Sequence, residues 1–326
     1  MARITIFAHI NFHLTGFPCN NYCQLIGALL KQMTNTPKNN QSSSFEILRP
    51  DKWSSPVIFA SPHSGHDYPE AFIKESRLTP LSLRRSEDAF VDEIFISAPI
   101  FGAPLLRALF PRVYVDANRE PFELDPEMFD TPLPHYVNTT SPRVTAGLGT
   151  MARVVTSGDE VYSKKLNFED ARKIIHKTYF PYHCALKGLL DEAKERFGCY
   201  LLVDCHSMPS IGGPMDRDPG FNRVDFILGD RHSTSCSETI TNKVEQSLRG
   251  LKYVVTRNNP YAGGYTTAHY GQPNENHHAL QIEINRSLYM NELLIDYSAG
   301  FLPLKKNMEK LIQFITRISP ESLKLK

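Results

Sequence analysis

Four short apolar runs, each cut off by polar or titratable residues, constrain this chain more than any other feature. Tyr200-Leu-Leu-Val203 runs into Asp204, Cys205, His206 and Ser207, and Val57-Ile-Phe-Ala60 into Ser61-Pro-His-Ser-Gly65. Val113-Tyr-Val115 runs into Asp116-Ala-Asn-Arg119, and Ala279-Leu-Gln-Ile282 into Glu283-Ile-Asn-Arg286. Runs of this length suit buried strands. Side chains alternate along a strand, so Asp204 and His206 are expected on one face. In open α/β sheets the ligand site lies beyond the carboxyl ends of the strands, so four such tips are expected to converge on one crevice. An ordinary solvated turn is the competing account of any one tip; four together favour a site.

Between and after these runs the pattern turns helical. Ser82 to Ile96 places Leu83, Phe90, Ile94 and Phe95 at helical spacing, which puts Asp88 and Asp92 on one helical face. Lys164 to Phe197 reads as a long helix, kinked or broken at Pro181 and stopped by Gly198. Strands at Asp225–Leu228 and Tyr253–Thr256 flank a helix at Ser237–Leu248, and a terminal helix spans Leu304 to Ile318. Alternation of this kind predicts an α/β fold with a mixed, largely parallel sheet and helices on both faces.

The bulk numbers exclude several classes. With 326 residues, 41% hydrophobic and 22% charged, the chain can bury a large core. A net charge of +1 without blocks of like charge gives no reason to expect nucleic acid or an anionic membrane as partner. Six irregularly spaced cysteines in a chain of this size point to a reducing, cytoplasmic setting, and Cys19 and Cys23 have no second pair at zinc-finger spacing. His9, Asn11 and His13 interrupt any signal-peptide core, and no stretch approaches the ~20 apolar residues that span a bilayer. A polar tract from Thr34 to Ser44 reads as a linker, so residues 1–44 are expected to be an extension, flexible or with a short helix near Leu25–Met33. A single catalytic domain is expected over residues 45–326.

Two histidines at separate strand tips, His63 and His206, with a nearby carboxylate and an open position for water, match the donor set of hydrolytic zinc sites. A turn-capping role is the alternative for His63. Glu283, in an apolar strand, is either a general base or one half of an ion pair with Arg286 or Arg119. Both arginines follow an asparagine, and a guanidinium fork suits a carboxylate or a developing oxyanion. Gly263 and Gly264 allow close backbone approach to a ligand, or simply a turn of positive φ.

These motifs, taken together, resemble the N-formylglutamate amidohydrolase family from about Ile58 to Glu292. The matching pieces are Pro62-His-Ser-Gly65 with Tyr68-Pro69, Glu87-Asp-Ala-Phe-Val-Asp92, Arg112-Val-Tyr-Val-Asp-Ala-Asn-Arg119 and Tyr182-His183. Further on come Asp204-Cys-His-Ser-Met208, Pro260-Tyr-Ala-Gly-Gly-Tyr265 and Gln281-Ile-Glu-Ile-Asn-Arg-Ser-Leu-Tyr289. The resemblance implies a three-layer α/β/α domain similar to zinc carboxypeptidases, and one zinc ion held by His63, His206 and a third ligand. Where relatives of that fold carry His-x-x-Glu, position 66 here is His, so the resemblance selects Asp88 as the third ligand, with His66 and Glu87 behind it. It also implies Glu283 as general base and Arg119 as oxyanion or substrate arginine. Arg286, Arg153, Asn118, Gly263, Gly264 and His183 are then candidates for substrate binding. The implied reaction is hydrolysis of N-formyl-L-glutamate to formate and glutamate. Deacylation of another N-acyl amino acid, peptidase activity, or metal-free carboxylate binding are the alternatives.

Overall fold

A computed structural model of the chain describes residues 43–155, 157–214 and 216–324. The expected extension up to residue 42, with Cys19, Cys23 and the amphipathic stretch 25–33, lies outside the described residues; Cys199, Cys205 and Cys236 are free thiols. The framework is a seven-stranded sheet in the order β1-β3-β2-β4-β7-β5-β6. Its strands are β1 (Phe45–Leu48), β2 (Val57–Ser61), β3 (Leu105–Ala108), β4 (Tyr200–Met208), β5 (Phe226–Gly229), β6 (Val255–Arg257) and β7 (His277–Asn285). The run β3-β2-β4-β7 is parallel, β1 is antiparallel to β3, and β5 is antiparallel to β7 but parallel to β6. A small hairpin, β8 (Met290–Asn291) with β9 (Asp296–Tyr297), follows β7.

Helices cover both faces. Val57, Phe59, Leu201, Val203, Cys205, Leu280 and Ile282 pack into one apolar core with Ile240, Val244 and Leu248 of the helix Glu238–Gly250. Leu304, Met308, Leu311 and Ile315 of the helix Phe301–Thr316 complete that core. Each such fully buried side chain contributes about 1.5–3 kcal/mol of transfer free energy. On the opposite face the helix Phe168–Phe197 contacts β2 and β4, and the helix Tyr265–Tyr270 contacts β4 and β7. The long helix begins where Asn167 Oδ1 accepts hydrogen bonds from the amides of Glu169 and Asp170, and stops at Gly198, whose φ of 73° suits glycine. Among the described residues no helix is long and apolar enough to cross a membrane.

The architecture is the expected mixed, largely parallel sheet between helical layers, with four local differences. Pro181 lies inside a helix that runs unbroken over 30 residues. Val113–Val115 forms no strand: the amides of Tyr114 and Val115 bond back to Pro111 O, closing a turn. Ser82–Ile96 is not one helix, because a segment carrying Asp88 separates helices Pro80–Arg84 and Val91–Ile94, and Phe90 adopts a left-handed φ of 67°. That break frees Asp88 to leave the helical face it was expected to share with Asp92. Finally, β4 does not stop before Asp204 but continues through Met208, carrying His206 within its paired region.

Candidate active site

The parallel strands β2, β4 and β7 end side by side, and their carboxyl ends supply the site. In register, His206 of β4 stands beside Glu283 of β7, and Asp204 beside Gln281. Neighbouring residues of a parallel pair share a face, so these four polar side chains emerge together, opposite the large apolar core. His63 enters from the loop after β2, where the Gly65 position lies so close to Phe110 O that a Cβ would fall 2.3 Å from it. The amide of Asp88 donates to His63 O at 3.0 Å, which brings the broken helical segment onto this loop.

His63, Asp88 and His206 are all buried, and one donor atom from each lies within 4.8 Å of the others. His206 Nδ1 is 3.0 Å and His63 Nδ1 3.3 Å from the same atom, Asp88 Oδ2. The two rings meet edge to face with centroids 4.7 Å apart. Each ring's other nitrogen faces a carboxylate: His63 Nε2 is 2.7 Å from Asp116 Oδ1, and His206 Nε2 is 3.0 Å from Asp204 Oδ2. Carboxylates in those positions orient metal-binding imidazoles and raise their basicity. His63 Nδ1 is buried yet makes no hydrogen bond, which is costly for a polar atom unless something else occupies it. Two imidazole nitrogens and one carboxylate oxygen facing a common point fit a divalent cation with room for a further ligand. Of the three candidates for the third ligand, Asp88 joins the group; His66 is exposed, and Glu87 is engaged by Tyr68 and Arg84.

The electrostatics follow from this crowding. Burial opposes ionisation of Asp88, but the hydrogen bond from His206, the neighbouring His63 ring and the charge of Arg112 hold its carboxyl well below the usual range. Burial likewise opposes a charged His206, yet Asp204 and Asp88 raise its pKa well above that of a free histidine. Glu283 differs: burial pushes it up to about 7, Asp88 adds to the shift, and His206, Arg112 and Arg286 oppose it. Its Oε1 accepts a hydrogen bond from Gln281 Nε2 at 2.7 Å.

The arginines have definite partners. Arg286 donates from Nη2 to Asp88 Oδ1, from Nε to Ser207 Oγ and from Nη1 to Arg85 O. Arg119 donates to the carbonyls of Leu148 and Asn118, leaving Nη2 3.8 Å from Asp116 Oδ2. Arg153 pairs with Asp125 at 2.6 Å. Arg112, which the sequence marks only as part of a motif, has Nη2 2.9 Å from Asp116 and Nη1 3.6 Å from Asp88, between two buried acids.

Asn118 and the double glycine act together. Asn118 Nδ2 lies 3.1 Å from His206 Nε2 and 3.3 Å from Asp204 Oδ2, while its Oδ1 accepts from the amide of Thr266. A Cβ on Gly264 would fall 2.4 Å from that Oδ1, so only glycine permits this approach. The Gly264 amide donates to Gln281 Oε1 at 3.0 Å, the residue that in turn holds Glu283, and Gly263 has a φ of 124°. His183, on the long helix, is sealed between Tyr270 OH and Ala117 O, and burial lowers its pKa to about 3. With Tyr179 OH bonded to Arg119 O, it anchors the loop 117–119 to the helix.

Comparison with known proteins gives the family. The family model of N-formylglutamate amidohydrolase matches residues 55–290. An N-formylglutamate deformylase of Pseudomonas putida is 27% identical over 247 residues, covering 73% of this chain and 82% of its own. Its counterpart from Pseudomonas aeruginosa is 28% identical over 258 residues, covering 76% and 86%. The crystal structure of an N-formylglutamate amidohydrolase from Ralstonia eutropha superposes with a TM-score of 0.78 at 34% identity, over 84% of this chain and 98% of that one. A match spanning the tips of β2, β4 and β7 and every residue of the buried cluster leaves one conclusion: the chain belongs to the N-formylglutamate amidohydrolase family.

Proposed function

We propose that the protein hydrolyses the N-formyl amide of N-formyl-L-glutamate to formate and L-glutamate, with one zinc ion held by His63, Asp88 and His206. The observation that carries the reading is the buried two-histidine, one-carboxylate cluster beside Glu283, in a chain whose relatives are deformylases. Zinc bound there would lower the pKa of water to about 7 and polarise a carbonyl.

The chain's own residues supply the rest. Glu283 Oε1 is occupied by Gln281, leaving Oε2 to take a proton from the attacking water. The same oxygen returns that proton to the amide nitrogen as the C–N bond breaks, so one water is consumed and the departing amine leaves neutral. A pKa near 7 suits both halves of this exchange. Arg112 and Arg119 set positive charge beside the buried acids, where it can meet the negative charge developing on the carbonyl oxygen. Arg286 fixes Asp88 so that Oδ2 faces the two histidines. We assign Asn118, Gly263 and Gly264 to the wall that holds His206 and Glu283 in place, and Arg153 and Arg119 to attraction of the dianionic substrate.

Incubating the zinc-loaded protein with N-formyl, N-acetyl and N-succinyl amino acids, and measuring release of acid and amine, tests the reading. N-formyl-L-glutamate is expected to turn over fastest. Brisk turnover of another member with none of N-formyl-L-glutamate would refute the substrate, and an inert protein would refute the hydrolase.

A further inference from the structure

Directly after β4 the chain makes a loop, Ser210–Pro214 and Asp216–Asn222, before Arg223. This loop forms one wall of a cleft of about 410 Å³, with Ile211, Gly213, Pro214 and Asp216 on that wall. Arg286, which bonds Asp88, lines the same cleft, so the cleft borders the cluster described above. Apolar packing does little to hold the loop, since Ile211 and Phe221 are 51% and 69% exposed.

What holds it is Arg223, whose side chain is only 1% exposed. Nη2 bonds Asp216 Oδ2 at 2.7 Å and Asp218 Oδ1 at 2.8 Å, Nε bonds Asp218 Oδ2 at 2.9 Å, and Nη1 reaches Pro209 O at 3.3 Å. The guanidinium lies 5.0 Å from the centroid of the Tyr261 ring, within the range of a cation–π contact. Tyr261 OH reaches Asp216 Oδ1 at 3.4 Å, and the charge of Glu283 acts on this phenol. Arg223 is itself fixed to the end of β7, where Asn285 Nδ2 donates to its carbonyl at 3.0 Å. The loop closes so tightly that a Cβ on Gly212 would sit 1.8 Å from Asp218 O. One buried fork thus joins both aspartates of the loop to the Pro260–Tyr265 segment and to the strand that carries Glu283.

We propose that Arg223 is a positioning residue for substrate: by fastening this loop to Tyr261 and β7 it fixes the cleft wall beside Arg286, and so sets substrate affinity rather than the rate of bond cleavage. The proposal rests on the hydrolase reading above. Its test is steady-state kinetics of wild type, Arg223→Met and Arg223→Lys on whichever N-acyl amino acid the wild type turns over best, with hydrogen exchange followed across the loop. Arg223→Met is expected to raise KM about tenfold while kcat stays within about twofold, with faster exchange in the loop and unchanged metal content. Arg223→Lys keeps the charge without the fork and should fall between the two. Should Arg223→Met fail to fold, Asp218→Asn together with Arg223→Lys decides the matter by the same ratios. A KM unchanged while loop exchange accelerates, or a fall in kcat at constant KM, would overturn the proposal. A wild type inert to the whole panel would instead overturn the hydrolase reading, and this proposal with it.

Discussion

The strand pair β4 and β7 carries a buried histidine at each end, and the two could hardly be treated more differently. At the amino end His277 stacks flat on Tyr200, with centroids 4.5 Å apart and planes 2° from parallel. Its nearest acidic partner, Glu275, is 3.5 Å away with a side chain 63% exposed. Burial therefore prevails, and the ring's pKa is lowered. At the carboxyl end His206 is buried more deeply still, yet two buried aspartates stand 3.0 Å from its two nitrogens, and its pKa is raised. Burial alone would lower both pKa values; the difference lies in the loops that meet each end. Turns feed the amino ends of these strands, whereas the loops bearing His63, Asp88 and Asp116 converge on the carboxyl ends, where a site is expected in open α/β sheets.

If that contrast has the chemical meaning assigned to it, substitutions at the carboxyl end should remove function and those at the amino end should not. The largest effect is expected for Glu283→Gln, with kcat lower by about 10²–10⁴-fold at unchanged metal content. Full activity in that variant would take Glu283 out of the base role. Next comes Asp204→Asn, which keeps the His206 ring but removes the carboxylate on Nε2. Metal affinity should fall about 10–100-fold in competition with a chelator, and an unaltered affinity would leave Asp204 a merely structural acid.

A smaller, graded effect concerns pH. Glu283 must be ionised to accept a proton, and its pKa is pushed up to about 7 chiefly by burial. Accordingly kcat/KM should rise with pH through a limb at or below that value and level off above it, since a bound cation favours the carboxylate. Profiles measured from about pH 5 to about 9 should show this limb; a rate that falls as pH rises through the same range would contradict it. The smallest effect is expected for His277→Phe, with turnover within about twofold of wild type and a stability change of about 1 kcal/mol by denaturant unfolding. A larger loss of turnover would blur the distinction between the two ends.

The sequence made the strands of the site legible because apolar runs broken by charge have few other uses. The period of two along β4 put Asp204 and His206 on one face, as observed. What it hid was tertiary or strained. Asp88 was assigned to a continuous helix on the spacing of Leu83, Phe90 and Ile94, but Phe90 in the left-handed region breaks the helix where the loop of His63 captures the Asp88 amide. The apolar run before Asp116 predicts a strand tip, whereas Asp116 follows a turn and holds His63 from a distance of 53 residues along the chain. Strands β1 and β3, at the β1 side of the sheet, are only four residues each, with Glu46 paired to Arg107 across them, too short for a periodic signal. The double glycine allows close approach to a ligand or a turn of positive φ; in the structure Gly263 has a φ of 124° and Gly264 admits Asn118 against the backbone.

The proposed function requires that His63, from the loop after β2, and His206, from β4, share one cation. Elemental analysis of purified protein by inductively coupled plasma mass spectrometry, comparing wild type, His206→Ala and His277→Ala, addresses it most directly. The account predicts about one zinc per chain in wild type and in His277→Ala, and almost none in His206→Ala. Equal zinc in all three proteins would contradict it.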